Sequence, residues 1–95
     1  MRLFIAGAEI ELLLYETQSL KEKRQILNSL ITKIRNQFNV AIAEINYLDT
    51  WQRTSLGIAC VSNSSTHAQQ QLDKVLNYIE QDGRFEIIDI YREIF

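Results

Sequence analysis

Residues 8–38 read AEIELLLYETQSLKEKRQILNSLITKIRNQF, and the fold is decided where the apolar period changes inside that stretch. From Ala8 to Leu12, Glu9 and Glu11 alternate with Ala8, Ile10 and Leu12, the period of a strand with one buried and one wet face. Ser19, followed three residues later by Glu22, has the form of a capping box. The hydroxyl accepts the Glu22 amide hydrogen while the carboxylate reaches back to the Ser19 amide. Turned by about 100° per residue, Leu20, Leu27, Leu30, Ile31, Ile34 and Phe38 then fall in one stripe, with Ile26 further round. A first strand and a helix from Ser19 to about Phe38 follow, and Asn39, which tolerates left-handed geometry, is expected to end the helix.

Val40 to Tyr47, rich in branched and aromatic residues, reads as a second strand, and Leu56, Ile58 and Cys60 alternating with Ser55, Gly57 and Ala59 as a third. The pattern lapses from Leu48 to Arg53, so the two strands form a hairpin with a medium loop. Ser62 to Thr66 competes for backbone hydrogen bonds and caps a second helix, whose buried face is Ala68, Leu72, Val75, Leu76 and Ile79 and which Gly83 closes. Phe85 to Phe95 alternates imperfectly around the apolar pair Ile87 and Ile88, the sign of a bulge or a switch of facing in a fourth strand. Strand, helix, strand, strand, helix, strand with right-handed crossovers is the α+β, ferredoxin-like βαββαβ plan. It predicts a four-stranded antiparallel sheet in the order 4-1-3-2 with two helices on one face. The most apolar strands, the first and third, are central; the second and fourth are edges.

Composition bounds the function. Ninety-five residues, of which 46% are hydrophobic, with three glycines and no proline, make one domain over residues 1–95, because a second core needs roughly 50 more residues. No apolar run reaches the ~18 residues of a membrane span, and glutamates interrupt the apolar N-terminus where a signal peptide is unbroken. A cytoplasmic protein without membrane contact is expected. One cysteine and one histidine supply neither an internal disulfide nor a zinc site. No metal and no cofactor are expected.

SLKEKR at 19–24, NQFNVAIAE at 36–44, WQR at 51–53, Leu56-Gly57 and Val61-Ser62-Asn63 together resemble the bacterial YlxP-like family across almost the whole chain. The resemblance implies the same ferredoxin-like fold and a gene lying beside translation initiation and ribosome maturation factors. It therefore implies the ribosome, a structured RNA or a translation-related protein as partner. It implies no activity, since the family has none assigned. Tyr47 and Leu48, ahead of Asp49, are less polar than in many relatives.

The net charge of −2 conceals a bipolar layout. From Ser19 to Phe38, Lys21, Lys23, Arg24, Lys33 and Arg35 stand against Glu22 alone, giving +4 and leaving −6 for the remainder. With Lys21 as origin, Arg24 lies near −60° and Arg35 near −40°, so these three form a basic ridge, while Lys23 near −160° points to the apolar sector, where its stem is expected to pack with its ammonium reaching out past the helix end. Such a ridge matches successive phosphates, and an anion at the helix N-terminus would offset the unfavourable placement of Lys21, Lys23 and Arg24 in the first turn. Lys21, Lys23, Arg24 and Arg35 are the expected polyanion-binding residues; the alternative is a solvated helix face. Trp51, Gln52 and Arg53 form the candidate partner-contact loop, Trp and Arg being the types enriched at binding hot spots. The plainer alternative folds Trp51 over the core and pairs Arg53 with Asp49 or Glu44.

Catalytic residues are not expected. Cys60 sits at an inward position and behaves as a small hydrophobe, His67 has no base or nucleophile near it in sequence, and Glu9 with Glu11 lacks a metal or pocket signature. On the sheet face away from the helices, Glu9 and Glu11 repel phosphate, and Ser55, Gly57 and Ala59 are too small to stack bases. That face, bordered by Ile5 and Leu13, suits another protein or a second copy. The sequence thus predicts a non-enzymatic binding module. It contacts RNA or the ribosome through the basic helix and the Trp51 loop, or alternatively forms a homodimer or other protein contact through the open face or edge strands.

Overall fold

The computed structural model describes residues 2–95, which form β1 (Phe4–Leu14), α1 (Leu20–Gln37), β2 (Ala41–Asn46), β3 (Arg53–Ser62), α2 (Ser65–Glu80) and β4 (Phe85–Ile94). One antiparallel sheet runs in the order β2-β3-β1-β4, the expected order from its other edge. The alternation of β1 does what its period dictates. Ala6, Ala8, Ile10, Leu12 and Leu14 are buried under the helices, and Leu56, Ile58 and Cys60 of β3 join them. Leu27, Leu30 and Ile34 of α1 close this layer from above β2, and Ala68, Leu72, Val75 and Ile79 of α2 close it over the centre of the sheet. Between the helices, the Phe38 and Tyr78 rings meet edge to face at 5.8 Å.

The turns differ from expectation in two places. Asn39 is not left-handed; Phe38 caps α1 in an extended conformation, its amide still bonded to the Ile34 carbonyl. Gly83 does not close α2, which ends at Gln81, and its φ is not positive. The two left-handed residues are Glu16 (φ 59°) and Tyr47 (φ 61°), in the β1–α1 and β2–β3 loops. The β4 bulge is present: Leu12 faces Ile87 and Glu11 faces Asp89, so Ile88 is the extra residue.

Leu72 is fully buried on the α2 face that meets the sheet. Leu72→Ala is expected to cost about 3 kcal/mol, read as a lowered midpoint with unchanged slope in urea unfolding.

Candidate functional site

The first turn of α1 is held by its own groups. Ser19 Oγ accepts the Glu22 amide hydrogen at 3.1 Å, and Glu22 Oε2 accepts from the Gln18 amide at 2.9 Å, one residue earlier than the capping box predicts. These contacts satisfy the Glu22 and Gln18 amides. Lys23, from the same turn, is only 1% exposed. Its Nζ lies 2.8 Å from Glu44 Oε2 and donates to the Tyr47 carbonyl at 2.5 Å, while Thr54 Oγ1 donates to the same Glu44 oxygen at 2.7 Å. Lys23 is therefore not a polyanion ligand. The ammonium does not reach out past the helix end as expected; it turns into the molecule, where β2 supplies the carboxylate.

The other three cations are exposed. Lys21 and Arg24 share one turn and make no ion pair among the described residues, whereas Arg35 lies about 16 Å further along the axis. The Arg35 Nη2 donates to the Ile42 carbonyl at 2.9 Å, at the β2 edge. Glu16, Glu22 and Asp49 are exposed at the same end of the molecule as Lys21 and Arg24, so the local field there is mixed in sign.

The Trp51 loop is tied to the β1–α1 loop. Thr17 Oγ1 donates to the Trp51 carbonyl at 2.8 Å, and Gln52 Nε2 donates to the Thr17 carbonyl at 3.2 Å. Trp51 is half exposed beside exposed Leu48 and does not fold over the core. Arg53 takes neither Asp49 nor Glu44. Its Nη2 meets Glu11 Oε2 at 2.6 Å, and its guanidinium lies 4.7 Å from the Tyr47 ring centre. Hydrogen bonds from Arg53 and then Tyr47 hold the Glu11 carboxyl below its ordinary pKa; the Glu11 carboxylate in turn raises Tyr47. Arg53 thus belongs to the open sheet face, separate from Trp51.

That face holds a concavity of about 480 Å³. Its floor is Gly7, Gly57, Ala41, Ala43 and Ala59, one wall is Ile45, and the other is Tyr91 with Phe95. Tyr91 and Phe95 are 54% and 67% exposed. A Cβ at Gly57 would lie 3.1 Å from Ile45 Cγ2, so the missing side chain is what lets Ile45 lean over β3. Along the β1/β4 side stand Glu9, Glu86, Asp89 and Glu93, none in an ion pair among the described residues. Sequence reading found the small floor but missed Ile45, Tyr91 and Phe95. The β4 bulge alters which residues face outward, and the Tyr91–Glu9 and Phe95–Ile5 pairings are long-range.

Reactive groups are secluded or isolated. Cys60 is buried with its Sγ donating to the Ala68 carbonyl at 3.2 Å, and burial pushes its thiol pKa up. His67 is exposed at the start of α2, where its amide is capped by Ser64 Oγ at 3.2 Å. Among the described residues no three His, Cys, Asp or Glu side chains are grouped to hold a metal, and no helix is long and apolar enough to cross a membrane.

The architecture is that of a ferredoxin-like βαββαβ domain with a concave, apolar open sheet. Residues 5–92 match the family described as protein of unknown function (DUF503), and the chain belongs to that family. It is 50% identical over 82 residues to the uncharacterized protein YlxP of Bacillus subtilis (strain 168), covering 86% of this chain and 89% of that one. The de novo designed protein Foldit4 shares the fold alone, with a TM-score of 0.54 at 9% identity over 99% of this chain and 97% of that one.

Two outcomes follow from the buried groups. Lys23→Met and Glu44→Leu are each expected to cost about 3 kcal/mol in urea unfolding, and the double variant less than the sum, because each single change strands one polar partner. Cys60 is expected to react with a thiol reagent in the native protein at least tenfold more slowly than in urea, followed by absorbance.

Proposed function

We propose that the chain is a binding module rather than an enzyme, and that it takes a protein partner on the open face of its sheet. The observation that carries this reading is the trough, an apolar floor of glycine and alanine between Ile45 and the exposed rings of Tyr91 and Phe95. Exposed apolar concavities of this kind mark docking surfaces, and a glycine floor lets another backbone come close. Glu9, Glu86, Asp89 and Glu93 along one side favour a partner segment that presents aliphatic side chains with flanking lysine or arginine. The secluded Cys60 thiol and the absence of a base beside His67 in sequence lend no support to chemistry. A cytoplasmic setting belongs to the same proposal, with a single free thiol in keeping with it.

An RNA or ribosomal partner, with Lys21, Arg24 and Arg35 on its phosphates and Trp51 against it, is the competing reading, and it draws on the +4 of α1. Lys23 lends nothing to it, because its ammonium is engaged by Glu44.

Affinity capture with the full chain separates the two. Ala59→Trp fills the trough without touching the core. It is expected to weaken partner retention at least tenfold with an unchanged far-UV spectrum, whereas Lys21→Glu/Arg24→Glu retains the partner. Loss of binding only in the charge-reversed variant, with several-fold weakening between ~50 and ~200 mM salt, would instead establish a phosphate contact.

A further inference from the structure

We propose that the free edge of β4 pairs antiparallel with the β4 of a second copy, joining two sheets into one of eight strands. The inference is independent of what occupies the trough.

The two edges of the sheet are unequal. β2 has six residues, its pairing with β3 is broken between Glu44 and Asn46, and the Arg35 guanidinium covers the Ile42 carbonyl. Short length, a bulge and a covering charge are the devices that keep an edge unpaired. β4 has ten residues, of which Asp89 to Ile94 run unbroken beyond the bulge at Ile88, with no proline and no lysine, and its single arginine, Arg92, is turned toward α2, bonded to Asp73 at 2.6 Å. Half of its exposed side chains are apolar, Ile88, Ile90, Tyr91 and Ile94, and they alternate with Glu86, Asp89, Arg92 and Glu93.

The backbone says which groups are free. Ile5 and Phe95 exchange both N–H···O bonds, at 3.2 and 2.7 Å, so Phe95 and, by the alternation of an antiparallel ladder, Glu93, Tyr91 and Asp89 direct their amides and carbonyls to β1. Ile90, Arg92 and Ile94 direct theirs outward, where this chain has no strand. A second β4 is complementary to that row.

Charge selects the register. A two-fold axis perpendicular to the sheet keeps like faces together. Centred on Tyr91, it opposes Glu93 to Asp89 of the partner subunit, twice; centred on Arg92 or Asp89, it opposes like charges directly, which destabilises a pair. Centred on Ile90, it opposes Ile90 to Ile90 of the partner subunit and Asp89 to Tyr91 of the partner subunit, a carboxylate facing a phenol. Ile90 is 41% exposed on the helix side, and this pairing covers it. Both open faces then lie on the same side of the joined sheet.

Analytical ultracentrifugation of the full chain from ~10 to ~200 µM is expected to give twice the 11.1 kDa chain mass at the upper end, with the Ile90 and Arg92 amides protected from exchange. Ile90→Pro removes an outward N–H and no β1–β4 ladder bond, and is expected to sediment at 11.1 kDa with an unchanged far-UV spectrum. Should the proline variant unfold, Ile90→Lys sets two ammonium groups face to face and serves as the second test. Ala59→Trp is expected to dimerise like the wild type, which separates this edge from the trough. A wild-type chain that stays monomeric across the range, or folded Ile90→Pro or Ile90→Lys variants that dimerise as the wild type does, overturns the proposal.

Discussion

The constraint on which the arrangement turns is a buried ammonium. Lys23 enters the interior from the first turn of α1, and its three donors need partners in a place water does not reach. Glu44 comes from β2 and the Tyr47 carbonyl from the loop beyond it, and Thr54 on β3 holds the Glu44 carboxylate in place. Three elements distant in sequence are thus tied at one point, which fixes where α1 sits over β2. A lysine in a first helical turn opposes the macrodipole, so local helix stability does not account for it. The Glu44 carboxylate does.

That tie also decides where charge is available outside. It removes Lys23 from the helix surface and leaves Lys21 and Arg24 beside three exposed carboxylates. On the other side of the sheet Glu11 and Arg53 neutralise each other, and Glu9, Glu86, Asp89 and Glu93 are left without an ion-pair partner among the described residues. The bipolar layout of the sequence becomes a separation across the sheet: positive residues ride on the helix layer, while the open face is acidic.

The fold was legible because its signals are local. The alternation of Ala8 to Leu12, the Ser19–Glu22 cap and the α2 stripe each depend on residues within a turn or two, and each gives the element observed. The site was legible only in part. The helical angle of Lys23 already pointed it to the apolar sector, and Glu44, two residues from Ile42, shares its inward face; joining the two needs the α1–β2 packing, which no spacing states. Gly57 and Ala59 disclosed a small-residue floor, but Tyr91 and Phe95 depend on which residue of β4 the bulge sets aside. Asn39 and Gly83 misled for a related reason: a residue that tolerates left-handed geometry does not demand it, and Glu16 and Tyr47 took that geometry instead.

The open face departs from what an antiparallel sheet ordinarily shows to water. Polar side chains normally alternate there with the buried ones. Beyond Arg53 and Ser55 at one end of β3, the two strands present Ala41, Ala43, Ile45, Gly57, Ala59 and Val61 in those positions, and bulk is confined to the margins. Removing side chains from the middle of a twisted sheet while keeping Ile45 on one side and Phe95 on the other makes a groove where uniform residue size would make a convex surface. Each exposed aliphatic group forgoes about 25 cal/mol per Å² of the stabilisation that burial brings, and folding of this chain alone never recovers it. On the proposed reading association recovers it, and the acidic margin works as a filter, since an apolar segment bearing acids is repelled where one bearing lysine or arginine is drawn in.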